Sequence, residues 1–211
     1  MLRHARTACL AAALAATAPA LASAQGGIAF TGGVSMASLD GDIFGTSESR
    51  TGWLAGVTLD FGVVQPSILY HSKGAKLIDE GFLDASLALD YVQVPVLVSY
   101  GVPVNDRIRL VLGAGPSVGL RVRCAIGASF SGFGGSTDCG GLEDDETGDG
   151  ISPKRVEVSG VGRIGLEFSK ITVMLRGELG FTNAFDVTGE GITFTPDVKS
   201  RAISIVAVLR P

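Results

Sequence analysis

The chain has 211 residues, 30 of them glycine, and a formal net charge of −4. Glycine is about twice as frequent as its usual ~7%, but with only 8 prolines and no G-x-y period the chain is not collagen-like. The 46% apolar content excludes a disordered chain. The negative charge argues against a nucleic-acid partner, because phosphate contacts need clustered lysine and arginine.

Residues 1–24 have the organisation of a secretory signal peptide. Arg3 and Arg6 form a positive start, residues 10–18 form a short apolar run, and Ala22-Ser23-Ala24 matches a small-residue cleavage site. The apolar run is shorter than the ~20 residues that a membrane-spanning helix needs. We therefore expect a cleaved signal followed by one domain.

That domain, residues 25–211, shows alternation of apolar and polar side chains with a period of two, which is typical of strands. In residues 107–123, Ile108 and Leu110 share a face with further apolar residues, and the other face carries glycine, serine and arginine. This stretch is about three times as long as the usual soluble strand of 5–6 residues. Eight strands are predicted, at residues 26–38, 50–60, 63–75, 86–101, 107–123, 155–168, 170–183 and 199–210.

The connections between these strands alternate between long and short. The long ones are residues 39–49, 76–85, 124–154 and 184–198, and the short ones are residues 61–62, 103–106 and 169–170. In antiparallel up-and-down order, all long loops lie at one end and all tight turns lie at the other. This pattern is typical of small outer-membrane barrels. The sequence therefore predicts an all-β fold, an eight-stranded antiparallel up-and-down transmembrane β-barrel.

The face opposite the apolar one distinguishes a membrane barrel from a soluble one. A lipocalin-like barrel turns its apolar face inward around a ligand, whereas a membrane barrel turns it outward to lipid. Here the other face carries small residues and charges, which suit a narrow lumen better than a water-exposed surface. The predicted lumen charge network consists of Arg107, Arg109, Arg121, Arg123, Glu157, Arg163, Glu167, Arg176 and Glu178.

The tight turn at Ser169-Lys170 predicts the register of the strands that it joins. Arg163 then lies opposite Arg176, and Glu178 is close enough to bridge the two guanidinium groups. We interpret the network as a filling of the barrel interior. A proton path or ion site built from the same residues is the alternative.

Cys124 and Cys139 are predicted to form a disulfide, because exported proteins fold in an oxidising compartment. The bond would clip the longest loop, residues 124–154, which is the expected contact surface for an extracellular ligand or protein. Its acidic stretch, residues 143–150, lacks the spacing of a calcium loop and is interpreted as a solvated tip, although calcium binding stays open. His71 is interpreted as a structural lumen residue, and no metal or cofactor is expected.

No pattern of catalytic residues stands out. Residues 115–119 (GPSVG) have the letters of the G-x-S-x-G motif, but they lie inside the predicted strand 107–123 and not at the strand-to-helix elbow that the motif needs. No nucleophile lies beside an evident base. We therefore expect a protein that is not an enzyme.

Three segments resemble the PorT-like outer-membrane β-barrel family. Residues 64–74 (VQPSILYHSKG) are similar to its QPELLYSxKG strand, residues 89–97 (LDYVQVPVL) to its LDYLEIPLL segment, and residues 112–119 (LGAGPSVG) to its AGPYxG strand. The match spans residues 26–210 in the family's order. The resemblance implies a barrel in the outer membrane of a Gram-negative envelope, surrounded by outer-membrane lipid and placed there by the barrel-insertion machinery. One departure is the final segment Val208-Leu209-Arg210-Pro211, which lacks the usual aromatic residue.

These observations predict an integral outer-membrane protein of structural or surface-recognition type, with a filled polar lumen and long extracellular loops. An eight-stranded barrel has an interior that side chains just fill, which argues against a wide pore. Two alternatives stay open. One is a soluble periplasmic lipocalin-like carrier of a small apolar ligand, and the other is a narrow ion or proton channel.

Overall fold

The computed structural model describes residues 27–41, 45–46, 48–79, 83–130, 133–139, 150–189, 192–194 and 197–211. Its strands are β1 (Gly27–Gly41), β2 (Gly45–Thr46), β3 (Glu48–Asp60), β4 (Val64–Asp79), β5 (Leu83–Asn105), β6 (Ile108–Phe130), β7 (Phe133–Asp138), β8 (Gly150–Pro153), β9 (Val156–Phe168), β10 (Ile171–Gly180), β11 (Phe185–Gly189), β12 (Ile192–Phe194) and β13 (Val198–Leu209). Within these ranges no α-helix is long and apolar enough to cross a bilayer. The signal peptide predicted at residues 1–24 lies outside the described residues.

Eight strands close into one antiparallel barrel, and we call them the wall. Their order around the ring is β13-β10-β9-β6-β5-β4-β3-β1, and β1 pairs with β13 from Phe30↔Leu209 to Gly41↔Val198. Because the barrel is closed, every wall strand pairs on both sides. Lipid offers no hydrogen-bond partner to the backbone, so strands that cross a membrane must satisfy their backbone groups in this way. The predicted eight-stranded up-and-down barrel is confirmed.

Tight turns join β3 to β4, β5 to β6 and β9 to β10, and they define the inner, periplasmic end of the barrel. The first turn uses Gly62 at φ 77, a conformation that glycine adopts without steric cost. In the second turn the Asn105 side chain accepts hydrogen bonds from the backbone N–H groups of Arg107 and Ile108, both at 2.9 Å. The first and third turns lie where the short connections were predicted, whereas the second lies at residues 106–107, further along the chain than the predicted 103–106.

At the opposite, outer end, the strands run further than predicted. β4 continues to Asp79, β5 starts at Leu83, and β6 continues to Phe130 and pairs with β7. A small second sheet joins β11 to β8 and β12, within segments predicted as loops. Beyond the membrane both faces of a hairpin meet water, so its side chains need not alternate between apolar and polar. These strands therefore lack the pattern by which strands are recognised in a sequence.

The wall is apolar outside and polar inside. Large hydrophobic side chains such as Trp53, Tyr100 and Phe181 are exposed on its outer face, whereas Ser35 and Thr172 are buried on its inner face. This arrangement confirms the predicted membrane barrel, and it is the reverse of a soluble carrier with an apolar cavity.

Inside the barrel, two apolar clusters lie on either side of a polar layer. The outer apolar cluster consists of Leu39, Ala75, Leu87, Leu89, Tyr91, Cys139 and Val198. The inner apolar cluster consists of Ala29, Leu54, Met174, Val206 and Val208. The polar layer between them contains the charged side chains described next.

Candidate functional site

Four buried charged side chains meet in the middle of the lumen, and we call them the central charge cluster: Lys73, Glu157, Arg176 and Glu178. Lys73 Nζ lies 2.6 Å from Glu157 Oε1 and 2.5 Å from Glu178 Oε1. Arg176 Nη2 lies 2.9 Å from Glu178 Oε2. The two cations and two carboxylates balance, as buried charges must if the cost of removing them from water is to be offset.

Neutral polar side chains surround this cluster and link further strands to it. Gln93 Nε2 donates to Glu178 Oε1 at 2.7 Å, and Ser159 Oγ donates to the same oxygen at 2.9 Å. Ser200 Oγ donates to Glu157 Oε1 at 3.0 Å. The cluster and its neighbours therefore connect β4, β5, β9, β10 and β13 across the lumen.

His71 lies beside the cluster and is fully buried. Its Nδ1 is 3.1 Å from Gln93 Oε1, and its Nε2 is 3.1 Å from Ser35 Oγ. Both ring nitrogens therefore have hydrogen-bond partners, from β5 and β1, and Glu178 Oε2 lies 3.7 Å from Nδ1. Two satisfied ring nitrogens are the arrangement expected of a structural histidine.

The lumen retains little empty space among the described residues. One void, between Lys73 and Tyr91, has a volume of about 10 Å³. A second, beside Asp60 and Arg163, also measures about 10 Å³. Each is about the size that holds a single water molecule. Together with the two apolar clusters, the central charge cluster therefore plugs the barrel.

A second group of charges, the inner-end cluster, surrounds Arg210. Its guanidinium lies 3.2 Å from Asp60 Oδ2 and 3.1 Å from Glu167 Oε2, and it donates to Thr172 Oγ1 at 3.0 Å. Arg109 lies 3.5 Å from Glu167 on the other side. The sequence predicted Glu167 and Arg109 as lumen charges, and the structure places them at the inner mouth.

Arg163 lies opposite Arg176, as the predicted register requires. Glu178 contacts Arg176 as expected, but the other half of the expected bridge is wrong, because Glu178 has Lys73, Gln93 and Ser159 as its further partners and not Arg163. The Arg163 side chain donates to Gln65 Oε1 and to Ser99 Oγ. The two arginines therefore belong to different hydrogen-bonded groups.

One of the other predicted lumen residues lies elsewhere. Arg107 is exposed in the inner-end turn, because β5 continues through Asn105 and moves the turn along the chain. Arg121 is half-buried on β6 opposite Tyr91, whose side chain faces the lumen.

Arg123 is on the outer surface rather than in the lumen. The pairing of β5 with β6 changes from Tyr91↔Arg121 to Asp90↔Arg123, so Val122 is an extra residue in β6. Such a β-bulge reverses the faces of all residues beyond it. Arg123 is 61% exposed and lies 3.9 Å from Asp90, which also accepts a hydrogen bond from the Tyr70 hydroxyl at 2.8 Å.

The sequence prediction missed Lys73 and Gln93. Both occupy odd-numbered positions on strands whose odd-numbered residues face inward, as Gln65 and His71 do on β4. Parity alone would therefore have placed them in the lumen. Their partners were not predictable, because Lys73 contacts Glu157 and Glu178 across the lumen rather than along a strand pair.

The predicted disulfide between Cys124 and Cys139 is present, with 5.4 Å between the Cα atoms. Cys139 is 5% exposed and belongs to the outer apolar cluster. The bond therefore fixes the base of the β6–β7 hairpin at the mouth of the barrel. The acidic residues 143–149 lie outside the described residues. Within the part of the chain that is described, no group of three or more His, Cys, Asp or Glu residues could hold a metal ion.

Comparison with known proteins adds a family match. The sequence profile of a family described as outer membrane protein beta-barrel domain matches residues 23–186. No curated protein matches the sequence significantly.

Several solved structures are similar in outline. The attachment invasion locus protein Ail of Yersinia pestis is 13% identical, with a TM-score of 0.45 over 88% of this chain and 99% of that one. OprG from Pseudomonas aeruginosa is 11% identical, with a TM-score of 0.46 over 88% and 96%. Neisserial surface protein A is 9% identical, with a TM-score of 0.44 over 87% and 97%.

Proposed function

Because the chain belongs to the outer membrane protein beta-barrel domain family, we propose that it works at the cell surface through its outer end. The protein is an integral barrel of the Gram-negative outer membrane, of surface or structural type. What remains to be assigned is which part of the barrel acts, and on what class of partner.

The observation that carries the proposal is the filled lumen. The central charge cluster joins β4 to β9 and β10 across the barrel, and the outer apolar cluster covers its outer side. The two small voids beside these groups are each about the size of one water molecule. A barrel plugged in this way supports a function on its exterior, and its lumen is a structural filling rather than a proton path.

The contact surface that we propose lies within residues 124–154. Support comes from the β6–β7 hairpin, which extends the wall beyond the membrane band and is held by Cys124–Cys139. A hairpin fixed to a rigid barrel loses little conformational freedom on binding, so it presents side chains to a partner at low entropic cost. The partner is an extracellular ligand or protein.

Photo-crosslinking on intact cells tests this proposal. A photoreactive amino acid at Ser136 in β7 is expected to crosslink an extracellular partner, because that side chain is exposed at the outer end. The matched control carries the same amino acid at Asp106 in an inner-end turn, where no extracellular partner can reach. Equal crosslinking at both positions, or none at Ser136 and its neighbours in β7, would contradict a recognition role for this segment.

Further parts of the proposal rest on the sequence. The motifs at residues 64–74, 89–97 and 112–119 support membership of the PorT-like branch. The signal pattern supports cleavage after Ala24, with residues 25–211 inserted by the barrel-insertion machinery. No pair of nucleophile and base was found in the sequence, so we propose that the protein has no catalytic activity.

A further inference from the structure

Two adjoining depressions lie on the outer, lipid-facing surface of the wall. The one nearer the outer end has a volume of about 600 Å³, and the one nearer the inner end about 560 Å³. They share a floor of Ala114, Gly162 and Gly177. These residues are direct neighbours in the ladder, since Ala114 pairs with Gly162 and Gly162 with Gly177. We call the continuous feature the lateral groove.

The sides of the lateral groove are apolar. Leu179, Phe181 and Ile203 border its outer half, and all three are exposed on the face that meets lipid. Tyr100 and Leu112 border its inner half. An occupant of this groove must therefore present hydrocarbon to it.

The two glycines of the floor are not explained by packing within the barrel. A Cβ atom added to Gly162 or Gly177 would meet no atom within 4 Å, and neither residue needs a positive φ. At Gly115 and Gly165, by contrast, a Cβ would collide with the backbone of the neighbouring strand. Glycine weakens a strand. At positions 162 and 177 its effect on the structure is to leave the groove open.

A guanidinium lies at the outer end of the groove. Arg201 borders the outer depression, is 61% exposed and lies one outward-facing position beyond Ile203. Its Nη2 is 2.6 Å from Asp40 Oδ2. A guanidinium has five N–H donors, so this ion pair leaves others able to bond to a phosphate oxygen at the membrane surface.

We propose that the lateral groove binds a phosphorylated glycolipid of the outer leaflet. One acyl chain lies over Gly162 and Gly177, and the phosphate contacts Arg201. A second copy of the chain fits less well, because a two-fold interface brings the same concave surface together with itself and would enclose a void. The guanidinium N–H donors that Asp40 does not use can hydrogen-bond to a phosphate oxygen at the outer end of the groove, and hydrogen bonds between two charged groups are among the stronger ones.

Native mass spectrometry of the detergent-extracted protein with added lipid A tests the proposal. The variant Gly162→Val/Gly177→Val fills the groove, because a side chain at either position would meet no neighbouring atom and valine is favoured in strands. We expect at least a tenfold fall in bound lipid A. The matched control is Ala55→Val, an exposed small residue on the outer face of β3 that is remote from the groove. It is expected to bind lipid A as the unaltered protein does.

The role of Arg201 is tested with the same lipid after removal of its phosphates. The unaltered protein is expected to retain the phosphorylated form at least fivefold better, and Arg201→Gln is expected to lose that preference. Heat-dependent gel mobility shows which variants are folded. If the double variant does not fold, the single variants Gly162→Ala and Gly177→Ala are used, each with an expected threefold fall.

Three results would overturn the proposal. The first is unchanged lipid A binding in the folded groove variants. The second is equal binding of the phosphorylated and dephosphorylated lipid by the unaltered protein. The third is a dimer that the groove variants dissociate, which would identify a second copy as the occupant instead.

Discussion

Lys73 is the residue on which the lumen interior depends most. Among the described residues it is the single cation that contacts both Glu157 and Glu178, which come from different strands of the wall. Arg176 contacts Glu178 only, among the ion pairs of the described residues. Loss of Lys73 would therefore leave Glu157 buried without a cationic partner from this cluster.

We expect Lys73→Met to destabilise the folded barrel by about 3–5 kcal/mol, the usual cost of breaking a buried ion pair from one side. Urea unfolding in lipid vesicles, followed by heat-dependent gel mobility, measures the change. The double variant Lys73→Met/Glu157→Gln restores a balance of charge, so it should be less destabilised than the sum of its single variants. Strict additivity would show that the two side chains do not interact.

Arg210 has a corresponding role at the inner mouth, where it contacts Asp60, Glu167 and Thr172 from three other strands. We expect Arg210→Ala to lower the free energy of unfolding by about 1.5–3 kcal/mol, the usual range for hydrogen bonds to charged groups. The same unfolding assay applies. Lys170→Ala is the matched control, since Lys170 is an exposed residue of the adjacent turn. Equal effects of the two substitutions would contradict a specific role for the Arg210 contacts.

At the scale of elements, the β6–β7 hairpin and its disulfide combine two roles. Cys139 fills part of the outer apolar cluster, and its bond to Cys124 holds the hairpin against the barrel mouth. The bond closes a segment with a sequence separation of 15. Loss of the bond should therefore open the hairpin while the wall stays paired.

We expect Cys124→Ala/Cys139→Ala to make residues 125–138 about a hundredfold more sensitive to protease on intact cells. The basis is the ~3 kcal/mol that a disulfide closing a loop of this length contributes, where each 1.4 kcal/mol corresponds to a factor of ten. Ser136→Ala is the control, because it changes the same segment and keeps the disulfide. Unchanged protection in the cysteine variant would show that the hairpin is held by other contacts.

The bulge in β6 determines which side of the wall the residues after it face. One extra residue, Val122, moves Arg123 to the outer surface and turns Cys124 towards the outer apolar cluster. Without the bulge, Cys124 would face away from the outer apolar cluster. The same irregularity that made the lumen prediction for Arg123 wrong therefore places the disulfide at the inner face of the barrel mouth.

At the scale of the whole molecule, the barrel combines a lipid-facing exterior with an interior filled by its own side chains. We expect the purified protein in a planar bilayer to give no conductance above background, because the central charge cluster and both apolar clusters obstruct the lumen. A stable single-channel current that changes in Arg163→Ala or Glu178→Ala would contradict the closed lumen. It would favour a narrow ion or proton channel.

Most of the fold was predictable because strand alternation and connection length are local properties of the sequence. Each wall strand separates lipid from a filled lumen, so its side chains alternate, and the alternation can be read residue by residue in a stretch such as 107–123. The lengths of the connections then determine the up-and-down order. Hairpin register was also predictable where the turn is tight, as the pairing of Arg163 with Arg176 shows.

The composition of the lumen was predictable from parity, but its contacts were not. Lys73 meets Glu178 across a sequence distance of 105 residues, through the interior rather than along a ladder. Which side chains meet there depends on the stagger and tilt of all eight strands together.

The sequence by itself therefore determined a membrane barrel, its two faces, its inner-end turns and its disulfide, because those follow from alternation, connection length and cysteine content. Only the tertiary structure decided that Arg123 faces outward, that Lys73 joins Glu157 and Glu178, and that Gly162 and Gly177 leave a groove. These features depend on a bulge inside a hairpin, or on strands far apart in the sequence meeting around and across the barrel, whereas local sequence encodes only the register next to a tight turn.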